Sequence, residues 1–450
     1  MAEKKVKIVD MVYPNYSIGE DEEGKKYRFK GGITGQEVII HAGRKKAGYI
    51  KAKLMEIVEK SPLEINNFCE NPNACSNCKF QNLEYSKELE LKEKMISNLY
   101  KKIGWEKSIK LNPSPIIENY RNKMEYTFGD SYKGGPLVLG NHTIGKFYEL
   151  TEYGGCQIAH PDFEVIREYT QNFFRERGFD FFHKTTHKGD LKYYVIRYSF
   201  YQKTFMLNLV TPTTEKLTQD ILDEYISGFE NIKIEGKIAS FYHTVSDSIA
   251  AAIKPDKITK VWGEDHLTEK INGLIFNISP FSFFQPNPKG AENLYNKALE
   301  LAGDINQKTV YDLYCGTGTI SQIFAKKASK VIGVEIIEEA VEKARQNAEI
   351  NGLSNLDFRA NDVLAEIDNL TDNPDVVVLD PPRSGIHHDA IRKICKMEAD
   401  KIVYISCNPE TQVADLKVFT ENGYTIEEIE CFDQFPRTMH VEALVLMTRE

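Results

Sequence analysis

Apolar and polar positions alternate in short runs over the first sixty residues, at 6–12, 37–42 and 49–57, with turn signals between them at Asn15, Gly19, Gly24 and Gly31-Gly32. A two-residue period puts apolar side chains on one face of a strand, so this stretch predicts a small β-barrel, with Arg44-Lys45-Lys46 grouped in one turn. After Ser61-Pro62 the texture changes. Residues 86–103 set Leu89, Met95, Ile96, Leu99 and Ile103 at helical spacing, with the pairs Glu88/Lys92 and Glu90/Lys94 on the polar side and Gly104 past the end, which predicts an amphipathic helix. Residues 110–275 read as a mixed, strand-rich region, with β-like runs at 193–198 and 204–210. From Gly273 onward short β-branched runs alternate with helical patterns, the signature of βαβ units around a parallel sheet.

At 450 residues the chain exceeds what one hydrophobic core covers, and the texture changes divide it into 1–61, 62–275 and 276–450. The composition, 41% hydrophobic and 27% charged, is that of a soluble protein. No apolar run approaches the length of a membrane span, and the first ten residues lack the apolar core of a signal peptide. A cytoplasmic protein with no membrane partner is expected, its eight cysteines serving as thiols or metal ligands. The net charge of −9 argues against a protein that coats nucleic acid. That charge is uneven: residues 1–60 hold 13 Lys+Arg against 9 Asp+Glu, residues 301–450 hold 15 against 26. Any RNA contact must therefore be local.

Candidate chemistry collects where the apolar runs of the βαβ part end, the rim at which open α/β sheets bind ligands. Residues 309–313 lead into Tyr314-Cys315-Gly316-Thr317-Gly318-Thr319, a glycine turn that opens a helix, and the next run ends in Glu335, a carboxylate suited to ribose hydroxyls. The turn lacks the third glycine of the dinucleotide fingerprint. With Asp312 and Glu335 it points to a nucleoside cofactor and resembles S-adenosylmethionine-dependent methyltransferases of the doubly wound class. Asn361-Asp362 follows a further strand. Asp380 runs into Pro381-Pro382-Arg383, whose prolines stiffen the loop, and Arg383 stands where methyltransferases acting on amino groups carry an aromatic. After the run 402–405, Ser406-Cys407-Asn408-Pro409 must leave the sheet; Cys407 is either an inert packed thiol or a nucleophile. Glu442 opens a buried terminal run, where a carboxylate is costly unless solvated or employed as a base. The aromatic-rich stretch 279–287 contains Gln285, and Asn119-Tyr120-Arg121-Asn122-Lys123 suits either RNA or a solvated loop.

Cys69, Cys75 and Cys78 are separated by five residues and then two, looping through Asn71-Pro72-Asn73, and Cys156 in Gly154-Gly155-Cys156 supplies a fourth thiol. Such a set predicts a metal centre. Zinc and an iron–sulfur cluster both take four thiolates, so spacing does not choose between them.

Five ordered segments, 283–285 (FFQ), 312–318 (DLYCGTG), 380–383 (DPPR), 406–409 (SCNP) and 435–442 (FPRTMHVE), together resemble the RNA uracil-5-methyltransferases across nearly the whole chain. The resemblance implies a doubly wound, Rossmann-like α/β methyltransferase domain, a mixed α+β central domain and an OB-like TRAM barrel that binds RNA. It implies that Cys407 adds to C6 of uracil and Glu442 removes the C5 proton. Gln285, Tyr314, Thr319, Glu335, Asp362 and Asp380 would contact S-adenosylmethionine, and Cys69, Cys75, Cys78 and Cys156 would hold a [4Fe-4S] cluster. The expected partner is RNA with a flipped loop uridine, 23S ribosomal RNA ahead of the tRNA T-loop, met by a monomer. A non-catalytic RNA chaperone or assembly factor is the alternative; binding alone would need neither Cys407 nor Glu442. Cys315, Cys395 and Cys431 read as core thiols.

Overall fold

The N-terminal alternation folds as β1 (Glu3–Val12), β2 (Tyr16–Glu20), β3 (Lys26–Lys30), β4 (Glu37–Lys46) and β5 (Tyr49–Glu59), a closed barrel in the order β1-β2-β3-β5-β4. This computed structural model describes residues 3–449 except 47, 67, 68, 70–74, 76, 77, 147, 152–154, 251, 371 and 372. Val6, Ile8, Tyr27, Phe29, Val38 and Ile40 fill the barrel. Arg44 and Lys45, expected in a turn, lie within β4, because a bulge between Ala42 and Lys45 lets the strand run on.

Next come α1 (Tyr85–Tyr100), β6 (Leu111–Asn112), β7 (Lys123–Gly129), β8 (Val138–His142), β9 (Leu150–Thr151), α2 (Asp162–Glu176), β10 (Tyr193–Ser199), β11 (Thr204–Thr211), α3 (Gln219–Ser227), β12 (Lys237–Val245) and β13 (Lys257–Gly263). Seven of these strands form one sheet, β13-β12-β11-β10-β7-β8-β9. Phe163, Phe174 and Tyr225 from α2 and α3 pack on one face of it against Tyr194, Leu207 and Phe241.

The hairpin β14 (Leu267–Ile271) and β15 (Leu274–Ile278) leads into α4 (Pro288–Ala302), β16 (Thr309–Leu313), α5 (Thr319–Ala325), β17 (Lys330–Glu335), α6 (Glu338–Ile350), β18 (Leu356–Ala360), α7 (Val363–Glu366), β19 (Val376–Leu379), α8 (His388–Lys396), β20 (Lys401–Ser406), α9 (Pro409–Glu421), β21 (Tyr424–Phe432) and β22 (Glu442–Arg449). Here the sheet order is β18-β17-β16-β19-β20-β22-β21-β6. Both faces are covered: Val376, Val378 and Val403 pack under α4 and α5, while Val377, Leu379 and Tyr404 pack under α1, α8 and α9. The first five strands are parallel and the chain reverses direction between β16 and β19, which opens a crevice beyond their carboxyl ends. β22 runs antiparallel to β20 and β21, so its beginning, not its end, reaches that rim. Among the described residues no helix is long and apolar enough to cross a membrane.

Two features depart from the sequence pattern. β6, from the stretch assigned to the centre of the chain, pairs with β21 at the edge of the eight-stranded sheet. Glu88 and Lys92, expected on a polar face, have 0% side-chain exposure, because residues 433–437 cover that side of α1. Lys92 Nζ lies 2.7 Å from Glu88 Oε1 and 2.7 Å from Asp433 Oδ1. Glu90 pairs with Lys87 and Lys94 with Asp10 of β1, each at 2.8 Å, instead of with each other.

Removing the ammonium leaves two buried carboxylates facing each other, so Lys92→Met should cost about 3–5 kcal/mol. An unpaired buried carboxyl binds its proton more tightly folded than unfolded, so the deficit should shrink as the pH falls from 7.5 to 5.5. Urea unfolding at the two pH values checks this; a loss under about 0.5 kcal/mol would mean the network contributes no net stability.

Candidate active site

The turn after β16 is drawn onto β17 by its backbone. Tyr314 adopts the left-handed φ of 73°, and the N–H groups of Tyr314 and Cys315 both donate to the Val334 carbonyl, at 2.9 and 3.0 Å. Gly318, at φ 75°, could not carry a side chain even if strain were ignored, since a Cβ would lie 2.7 Å from Phe358. The Glu335 carboxylate accepts the N–H groups of Gly316 at 3.2 Å and Ile337 at 3.0 Å, which fixes it at the rim. Asp362 caps α7 by accepting from the Ala365 N–H at 3.3 Å. Thr319 is the first residue of α5. Gln285 donates to the Tyr295 hydroxyl of α4 at 3.0 Å, which orients its amide.

Cys407 follows the last residue of β20, and α9 begins two residues later with Pro409 in its first turn, where a missing N–H costs nothing. Ser406 pairs with Ala443 across β20 and β22, so Cys407 and Glu442 occupy the next rung outward on neighbouring strands. Asn408 Nδ2 donates to the Arg383 carbonyl at 2.9 Å, joining this turn to the Asp380–Arg383 loop. Gln285, Tyr314, Thr319, Glu335, Asp362, Asp380, Cys407 and Glu442 line one cavity of about 1020 Å³.

Negative charge dominates the cavity. Burial, then the Asp380 charge, pushes the Glu442 carboxyl up to about 8, against the opposing pull of Arg383. Burial and Asp312 raise Asp380 to about 7, and burial raises Asp312 to about 6. Cys407 is pushed up to about 11 by burial and by the charges of Glu442 and Asp380, again opposed by Arg383. At neutral pH the free site therefore rests with a protonated thiol and a largely protonated Glu442. His440, on the same wall, is held down to about 4 by burial and by Arg383, Lys92 and Arg121, so it is neutral.

The sequence assigns no role at the cavity to three further residues of the wall. Arg383 stood out only as a departure from an aromatic, yet its charge opposes the raised values of both Cys407 and Glu442. Tyr295 falls among the apolar positions of α4, and its contact with Gln285 depends on how α4 packs. Arg121 arrives from the strand-rich region, far ahead in sequence of β16, the first strand of the parallel sheet.

Cys69, Cys75 and Cys156 all act electrostatically on the Cys78 thiol, which burial raises first, so the four sulfurs share one neighbourhood. Among the described residues no group of three or more His, Cys, Asp or Glu is arranged to hold a metal ion. Asn71-Pro72-Asn73 and Gly154 lie outside the described residues.

A family model described as tRNA (uracil-5-)-methyltransferase matches residues 248–450. A protein of Clostridium tetani named as an uncharacterized RNA methyltransferase is 40% identical over 450 residues, covering 100% of this chain and 98% of its own length. A protein of the same description from Caldanaerobacter subterraneus is 39% identical over 446 residues, covering 99% and 98%. The fold is that of the Pyrococcus abyssi tRNA (uracil-54, C5)-methyltransferase solved with S-adenosyl-L-homocysteine, at a TM-score of 0.77 and 24% identity over 98% of this chain and 100% of that one. A chain with these relatives, whose strand ends gather carboxylates, a thiol and a buried glutamate around one cavity, belongs to the RNA uracil-5-methyltransferase family.

Proposed function

We propose that the protein transfers a methyl group from S-adenosylmethionine to C5 of a uridine in RNA through a covalent adduct between Cys407 and C6 of the base. The observation that carries this reading is the Cys407/Glu442 pair one step beyond the Ser406/Ala443 rung of β20 and β22, opening into the same cavity as Glu335, Asp362 and Asp380. Those carboxylates suit the hydroxyls and positive charges of S-adenosylmethionine, and Gln285, Tyr314 and Thr319 complete the wall. When bound, that molecule supplies an electrophilic methyl on a cationic sulfur.

C5 of uracil is a poor nucleophile until C6 is attacked. Cys407, as thiolate, forms a C–S bond to C6, and the C5–C6 π pair turns C5 into an enolate-like carbon that takes the methyl. Glu442, as carboxylate, then removes the C5 proton, the C5–C6 double bond re-forms, and the C–S bond breaks to return the thiolate. A nearby positive charge offsets the carboxylates that raise Cys407 and Glu442, so cofactor binding favours the reactive forms of both. His440, neutral and uncharged, is poised to hydrogen-bond and not to supply charge.

The finer readings follow the resemblance. The chain divides at 61 and 275, with the five-stranded barrel acting as an OB-like TRAM module that binds RNA. For a [4Fe-4S] cluster on Cys69, Cys75, Cys78 and Cys156 the support is the shared neighbourhood of the four thiols; their loop is tied to the rim by the Lys79 and Phe80 N–H groups, which both donate to the Arg437 carbonyl, at 2.8 and 2.9 Å. The cluster would fold this loop onto the catalytic side. Methylation moves no electrons to or from the protein, so a redox role has no step to serve. The substrate is 23S ribosomal RNA in a cytoplasmic monomer, with the tRNA T-loop as second reading, in line with the substrate named for the Pyrococcus abyssi relative.

Methyl transfer to unmodified 23S fragments and tRNA in parallel, with the product base mapped, tests the reading as a whole. Cys407→Ala should abolish turnover with cofactor binding nearly unchanged; near-normal methylation would exclude the covalent route. Glu442→Gln resembles the neutral carboxyl of the resting site, so it should fold, accumulate a methylated adduct through Cys407 and lose about 10²–10⁴-fold in rate. An assembly factor would form no adduct.

With Glu442 raised to about 8 and Asp380 to about 7, kcat/KM of the wild type should rise from pH 6 to 8.5, because the free enzyme must ionise to react. A profile flat over that range would mean the base is not Glu442. Anaerobically purified protein should contain about four irons per chain; zinc in their place would remove the cluster and keep a structural centre.

A further inference from the structure

The cavity wall is acidic and residues 301–450 carry 26 Asp+Glu against 15 Lys+Arg, so a polyanion approaching this face is repelled unless cations wait at the rim. One such set comes from the other sheet. Lys123 of β7 and Arg197 of β10 are direct cross-strand partners, an arrangement that like charges disfavour. Arg121 precedes them by one strand period, lines the cavity, and donates its Nε to the Lys123 carbonyl at 3.0 Å.

Few carboxylates balance these three cations, although Arg121 also acts on the thiols of Cys78 and Cys156. Arg197 spends its guanidinium on two carbonyls of the aromatic stretch, Pro280 at 3.0 Å and Ser282 at 2.5 Å, and burial holds it down to about 10. Among the described residues Glu125, exposed at the strand surface, is the only carboxylate that pairs with Lys123, at 4.0 Å. Burial, then Arg197, pushes the Lys123 ammonium down to about 8. Among the described residues neither Lys123 Nζ nor the two Nη groups of Arg121 make a hydrogen bond. Cations set side by side and partly buried, with one long ion pair to Glu125 among them, leave a positive hole that an anion fills.

We propose that Arg121 and Lys123, with Arg197 as the buried charge behind them, bind a phosphate group of the RNA backbone next to the nucleotide whose base enters the cavity. This rests on the reading of the cavity as a uridine site. A base lodged there leaves its own phosphates at the rim, and Arg121 belongs to both the rim and the wall. The contact gives back part of the few kcal/mol that unstacking a base costs. It also explains how a chain of net charge −9 meets RNA: attraction is confined to the spot where the backbone must cross acidic ground.

Lys123→Gln tests this in the full-length protein, with Lys123→Arg as the charge-conserving control. Binding of a uridine-containing stem-loop RNA is measured from 50 to 300 mM salt, beside calorimetric binding of S-adenosylmethionine. Lys123→Gln should bind RNA about 5–10-fold more weakly, with the slope of log K against log salt smaller by about 0.7–0.9, one phosphate contact, while Lys123→Arg keeps the wild-type slope. Cofactor affinity and kcat at saturating RNA should stay at wild-type values, with the loss in KM.

An unchanged slope and affinity overturn the proposal. So does a loss of S-adenosylmethionine binding, which would assign the cations to that molecule's carboxylate. Inorganic phosphate bound more tightly by wild type than by Lys123→Gln, with equal RNA slopes, would make this a free-anion site and also overturn it. The two readings separate: the expected slope difference without any methylation by wild type removes the uridine chemistry and keeps the phosphate contact, whereas normal methylation with equal slopes removes the contact alone.

Discussion

Lys92 sits between Glu88 and Asp433 with no exposure to solvent, and the segment that leads into Glu442 depends on that arrangement. Asp433 also accepts from the Tyr85 hydroxyl at 2.9 Å. Gln434 exchanges two hydrogen bonds of 3.0 Å with Asn287, the cap of α4. Pro436 accepts from the Tyr120 hydroxyl at 2.9 Å, and the Arg437 N–H donates to Glu88 at 2.7 Å. Arg437 holds a φ of 70°, costly for a residue with a side chain, and its carbonyl takes the two amide donors beside Cys78. The segment has no regular structure of its own, so its position is decided by α1, α4, the cysteine loop and the chain before β7. The approach to Glu442 is thus fixed by segments from widely separated parts of the chain.

The electrostatics of the cavity follow from the same burial. Cys407 stands at the amino end of a 13-residue helix, where the backbone dipole favours a thiolate. Burial and two carboxylates outweigh that preference, and the thiol rests protonated. A thiol held neutral in this way is slow to oxidise, since oxidation follows thiolate character. Asp312 shows the cost of such a wall: Ser321 donates to one of its oxygens at 2.5 Å, and the other has no partner among the described residues.

Much of the methyltransferase sheet was legible because its strands are buried on both faces, giving unbroken apolar runs that end in chemistry-bearing residues. The run ending at Glu335 is a strand that ends there, and the strands before Asp380 and Cys407 end one residue ahead of them, at Leu379 and Ser406. Periodicity failed where burial came from a segment remote in sequence. Glu88 and Lys92 have the i, i+4 spacing of a solvated pair, and only the residues 341 and 349 positions away, Asp433 and Arg437, make them interior. Arg44 and Lys45 read as a turn because no local pattern announces a bulge. Arg121 and Lys123 were visible as a polar motif, but their meeting with Arg197 is a matter of strand register between β7 and β10.

Register also brings Glu442, near the far end of the sequence, beside Cys407, 35 residues earlier. Side chains alternate across a strand, so a slip of one residue between β20 and β22 would send Glu442 to the opposite face and Ala443 into the cavity. Two neighbours prevent it: Ser406 pairs with Ala443 on one side, and Phe432 with Glu442 itself on the other. The only irregularity in that pairing falls between Ile426 and Glu428, at the end of the sheet away from the cavity. Strand mismatch is absorbed there, and the rung that carries the chemistry stays in step with β20.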